Sequence, residues 1–151
     1  MSTGQAGSKD QNSKSFRIWR RILVFLSIFN AIGAIGGCCI AFIPGLAASV
    51  GADVIAAQLQ QNTPFVGQYI QTLFIPGLAL LLFVFVPQII ASILLLRKRP
   101  KQYIAGIVCG GMLVCVEIVE LILIPNPLSL IYLIIGIVQT IAGIMCLRAA
   151  G

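Results

Sequence analysis

The stretch from Tyr103 to Ile124 reads YIAGIVCGGMLVCVEIVELILI. Its only charged residues are Glu117 and Glu120. Its 22 residues match the roughly 20 apolar residues that an α-helix needs to cross a hydrocarbon core. Three further blocks of the same kind flank it: Ile22–Ile43, Phe74–Leu96 and Leu128–Leu147. Across the chain 59% of residues are hydrophobic and 9% are charged, against roughly a quarter charged in soluble domains. A water-soluble globule this small leaves too much surface exposed to hide such a composition. The predicted fold is all-α: a polytopic integral membrane protein forming an antiparallel four-transmembrane-helix bundle.

The net charge of +6 is explained by its distribution. Lys9, Lys14, Arg17, Arg20 and Arg21 precede the first block. Arg97, Lys98, Arg99 and Lys101 separate the second from the third, and Arg148 follows the fourth. No Lys or Arg falls in the other two connections. This is the positive-inside pattern, which predicts cytoplasmic N- and C-termini in a multi-pass protein of the cell (inner or plasma) membrane. Short membrane-flanking clusters are not the folded basic face that nucleic acid requires, so nucleic acid is excluded and the lipid bilayer is the expected partner.

Residues 1–18 read as a basic cytoplasmic tail, disordered where it is rich in Ser, Gly, Gln and Lys, and 19–148 as the membrane domain. Trp19 lies among basic residues at expected headgroup depth. The first apolar run is too long for a cleaved secretory signal. Ile35-Gly36-Gly37-Cys38 loosely resembles a lipoprotein cysteine box, and lipidation at Cys38 stays open. The outer segment, 44–73, opens on the breaker Pro44-Gly45. Leu46, Val50, Val54 and Ile55 follow at helical spacing, which fits either an amphipathic helix on the outer surface or a partly ordered loop. Pro87 predicts a kink within the second span, its freed carbonyls satisfied by neighbouring helices. Ile124-Pro125-Asn126-Pro127 is a turn so tight that spans three and four must be antiparallel neighbours.

Glu117 and Glu120 are the most informative residues. Placing an ionisable group in a span costs at least about 2.5 kcal/mol, and such groups face protein or water, usually with a partner. A spacing of three puts both on one helix face, where mutual repulsion favours sharing a single proton. The other spans each supply one amide: Asn30, Gln88 and Gln139. With Ser92 and Thr140 these form either a polar track through the bundle or interhelical hydrogen bonds that only fix packing. Glu117, Glu120, Asn30, Gln88 and Gln139 are therefore the candidate polar or ion site. Gly33 and Gly37 form one small-residue pair and Gly106 and Gly110 another, both predicted to pack helices closely. At about 100° per residue, Gly106, Gly110 and Glu117 lie within roughly 40° of one another, which places Glu117 toward protein.

Cys38, Cys39, Cys109, Cys115 and Cys146 all lie in spans with no C-x-x-C pair, and read as small apolar residues. The chain has no histidine, the usual zinc and haem ligand. It shows no phosphate loop, nucleophile elbow or dinucleotide motif. No enzyme, cofactor or metal is expected.

Several stretches resemble a widespread group of small bacterial four-span proteins, loosely DoxX-like in size and layout. They are Pro64-Phe65 through Ile75-Pro76-Gly77-Leu78, Arg97-Lys98-Arg99, Glu120 within Val116–Ile124, and Pro127-Leu128-Ser129 leading into Tyr132 and Gly136. The resemblance covers most of the chain after about residue 30. It implies an inner-membrane bundle and no mechanism. Three functions are open: a structural or accessory bundle serving a larger membrane complex, a small proton- or cation-coupled transporter using Glu117 and Glu120, or a membrane enzyme or quinone-linked redox subunit. A narrow four-helix bundle has little internal volume, so transport is expected to need a homo-oligomer.

Overall fold

The computed structural model describes residues 4–43, 45–62, 74–97, 101–123 and 125–150. Four helices are long and apolar enough to cross a membrane: α1 (Gly4–Phe42), α4 (Phe74–Leu96), α5 (Gln102–Leu123) and α6 (Pro127–Ala150). Two short helices, α2 (Leu46–Ser49) and α3 (Asp53–Asn62), follow α1. The chain is an all-α four-helix membrane bundle. Each of α1 and α5 packs on both α4 and α6, so the helices stand round the bundle in chain order. Antiparallel alternation gathers the described basic residues at one end, hereafter the basic end.

Two sequence expectations change. The helix of the first span begins at Gly4, inside the segment that composition assigns to a disordered tail. Extending an existing helix costs no nucleation, and Gln, Ala and Lys propagate it readily. Trp19 packs with Phe16 and Ile22 against a buried cluster of Leu23, Leu95, Tyr103, Ala142 and Cys146. Within the described part of the outer segment the chain is helical in two pieces, Leu46–Ser49 and Asp53–Asn62. Gly51 takes φ +71, a left-handed conformation that breaks the run between Val50 and Val54, and both valines are exposed. Pro44, residues 63–73, Lys98, Arg99 and Ile124 lie outside the described residues.

Pro87 acts through helix register. The turn before it, Leu81–Phe85, widens into a π-helix. Proline supplies no N–H and its ring crowds the carbonyl four residues back, and a single wide turn relieves that conflict. From the neighbouring span Cys109 Sγ donates to the Pro87 carbonyl at 3.2 Å.

Glycine sets the closest helix crossing. A Cβ on Gly110 would lie 2.5 Å from Thr140 Oγ1 and 2.8 Å from the Thr140 backbone nitrogen. Gly136 and Gly143 meet α5 just as closely at Val114 and Ile107. The other predicted pair divides its work: Gly33 lies under the Tyr132 hydroxyl of α6, whereas Gly37 lies under Leu80 of α4. At the basic end Arg20 donates to the Leu95 carbonyl at 3.2 Å, a cation at the carbonyl end of α4. Phe16 meets Tyr103 edge-on at 6.0 Å.

Candidate functional site

A middle layer of amides crosses the bundle. Gln139 of α6 is fully buried and bonds to two helices. It accepts from Asn30 Nδ2 of α1 at 2.7 Å and from Gln88 Nε2 of α4 at 3.2 Å. It donates to Gln88 Oε1 at 3.0 Å and to Ser27 Oγ of α1 at 3.4 Å. Unpaired amides in this environment cost several kcal/mol each, so the four side chains are held together. Ser92 and Thr140 take no part. Their hydroxyls bond back to the carbonyls of Gln88 and Gly136 on their own helices, as serine and threonine do inside helices. The amides form a single interhelical layer rather than a track through the bundle.

Between this layer and the end away from the basic residues lies a cavity of about 380 Å³. It is lined by all four long helices: Asn30, Gly33, Ala34, Gly36, Gly37 and Ile40 of α1, Leu80 and Val84 of α4, Leu113, Glu117 and Glu120 of α5, and Leu128, Ser129 and Tyr132 of α6. From Ile40 to Asn30 its wall runs ten residues, about 15 Å along the helix. The cavity is partly open, since its lining includes the exposed Gly36 and Leu128. Three glycines and an alanine on α1 leave the space that larger side chains would fill.

Of the five candidate residues, Glu117, Glu120 and Asn30 line the cavity, while Gln88 and Gln139 lie in the layer beneath it. Asn30 joins the two groups. Glu117 is 5% exposed and Asn30 1%, yet Glu117 Oε2 and Asn30 Oδ1 have no hydrogen-bond partner. Buried polar atoms are almost always paired, so each orphan asks for an explanation. Both residues line the cavity, while the orphaned oxygens themselves are buried; a donor that enters and turns the side chains toward it satisfies both.

The rest of the glutamate pair is tied to the start of α6. Asn126 caps that helix, accepting the Ser129 backbone N–H at 2.8 Å with Pro127 at the first helical position, where its missing N–H costs nothing. The same side chain donates to Ser129 Oγ at 2.8 Å and to Glu120 Oε1 at 3.3 Å. The Ser129 hydroxyl in turn bonds the Glu117 carboxyl. Nearby, Asn62 Nδ2 at the end of α3 donates to the Leu123 carbonyl at 2.5 Å, covering the C-terminus of α5. Among the described residues no lysine or arginine lines the cavity.

Sequence reasoning missed Ser27, Asn126, Ser129 and Tyr132. Signals existed for two of them. Ser27 precedes Asn30 by one turn, and Asn126-Pro127-Leu128-Ser129 has the spacing of a capped helix start. No protein-family model, curated protein or solved structure matches the chain.

Proposed function

We propose that this four-span membrane protein is a small proton- or cation-coupled transporter. Glu117 is its binding carboxylate and Glu120 stands nearer the mouth of the cavity. The observation that carries this is the pair of buried, unpartnered acceptors, Glu117 Oε2 and Asn30 Oδ1, on two residues that line one cavity. A bundle built only for packing has no reason to hold a carboxylate beside empty space, since the cost of burying it is not recovered.

The cavity lies on the side of the amide layer away from the basic end. Below the cavity stand the amide layer and then the apolar cluster of Leu23, Leu95, Tyr103, Ala142 and Cys146. Passage to the basic end requires that cluster to part and the bond from Arg20 to Leu95 to break. The basic clusters support an orientation with that end, and both termini, in the cytoplasm. The cavity is walled by a single chain, so binding does not need a second copy. The accessory-bundle reading is favoured by one observation: the lower half is closed and its amides are paired to one another.

The test is flux in proteoliposomes loaded with a pH-sensitive dye. Wild type is expected to pass protons or exchange them for monovalent cations, and Glu117→Gln is expected to abolish this while remaining folded. A folded wild type without flux under any gradient overturns the transporter reading in favour of the accessory bundle.

A further inference from the structure

We propose that the cavity binds an amphiphilic ammonium ion. The apolar body lies against Ala34, Ile40, Leu80, Val84, Leu113 and Leu128, and an N–H-bearing cationic head takes up the Glu117 carboxylate on a wall that also carries Asn30. This assignment rests on the cation-site reading above and narrows it to a chemical class.

Four observations select that class. The charged lining residues, Glu117 and Glu120, are both acidic, so an anion is disfavoured and a cation attracted. Both orphaned atoms are acceptors, which calls for a head with at least two N–H donors, one for a carboxylate and one for an amide carbonyl. A quaternary ammonium offers none. A bare metal ion fits poorly: hard cations such as Ca²⁺ and Mg²⁺ take about six or more oxygens, and here two buried acceptors stand free. Finally, about 380 Å³ lies within the range of roughly 300–1,000 Å³ for pockets that take small organic molecules, and most of the wall is aliphatic. Such a wall complements a hydrocarbon body better than water.

The lining also supplies two independent handles. Glu117→Gln removes the charge and keeps the shape. Gly36→Leu acts on the body of the ligand instead. A Cβ at Gly36 meets nothing within 4 Å, so there is room to begin a side chain on this lining residue.

The experiment is equilibrium dialysis of radiolabelled hexylammonium against the full chain in lipid nanodiscs, with empty nanodiscs as background. Three competitors each lack one feature: hexyltrimethylammonium has no N–H, hexanol has no charge, and methylammonium has no body. Hexylammonium is expected to bind saturably, at least about tenfold more tightly than any competitor, as losing one charge-assisted hydrogen bond implies. Glu117→Gln and Gly36→Leu should each weaken it by a similar factor, with thermal melts confirming that both fold. Absence of saturable binding overturns the proposal, as does equal competition by any of the three or unchanged binding in both variants. Proton flux in wild type without hexylammonium binding removes this ligand class and leaves the transporter standing. Saturable binding without flux keeps the ligand class and removes transport.

Discussion

Replacing Gln139 by methionine keeps most of the side-chain volume and removes the hub of the amide layer. Gln139 makes four hydrogen bonds, to Asn30, Ser27 and twice to Gln88. Interhelical hydrogen bonds in membranes are worth about 0.6 kcal/mol each on average, so their loss alone costs about 2.4 kcal/mol. The amides left behind are buried and raise the cost further, giving an expected loss of about 2–4 kcal/mol. Gln88→Met removes only the two bonds shared with Gln139, about 1.2 kcal/mol by the same scale. The double variant loses those two bonds once, so the pair should couple by about 1.2 kcal/mol. Unfolding in bicelles by steric trapping measures all four stabilities. A Gln139→Met variant within about 0.5 kcal/mol of wild type refutes the reasoning, as does additivity within the usual error of about 0.3–0.5 kcal/mol.

Other substitutions separate packing from space. Gly110→Ala drives a methyl against the Thr140 backbone, which cannot swing aside, and should cost about 1–3 kcal/mol. Gly111→Ala meets nothing within 4 Å and should gain up to about 1 kcal/mol from helix propensity. Paired melts that reverse this order contradict the α5–α6 crossing. Asn126→Ala should cost about 1 kcal/mol as a lost helix cap, and also free Glu120 and Ser129; unaltered stability argues against the cap. In a cysteine-free background, Ala57→Cys should react with an impermeant maleimide from outside intact cells, whereas Lys14→Cys should react only after permeabilisation. The opposite pattern inverts the orientation.

The spans were legible because bilayer thickness fixes helix length. Phe74–Leu96 is recovered without change, and the third span, read as Tyr103–Ile124, is helical over Gln102–Leu123. The amide layer was half legible: an isolated Asn30, Gln88 or Gln139 in an apolar helix has to find a partner, though sequence does not say which. Ser27, one turn before Asn30, was easily passed over because a serine in a span usually bonds to its own helix, as Ser92 does. The cavity was not legible at all. Its volume depends on Gly33 facing Tyr132 while Gly37 faces Leu80, and spacing alone assigns both to one helix. The split outer helix was missed for a local reason: periodicity counts apolar positions, whereas Gly51 acts through backbone conformation.

The account depends on Glu117 being reachable from the cavity and held there for a cation. Reaction with a hydrophobic carbodiimide, read by peptide mass spectrometry in native membranes, tests this directly. Modification of Glu117, slowed severalfold by added hexylammonium or by monovalent cation, is the predicted result. An unmodified Glu117 in folded protein, or modification that no cation slows, would contradict the account.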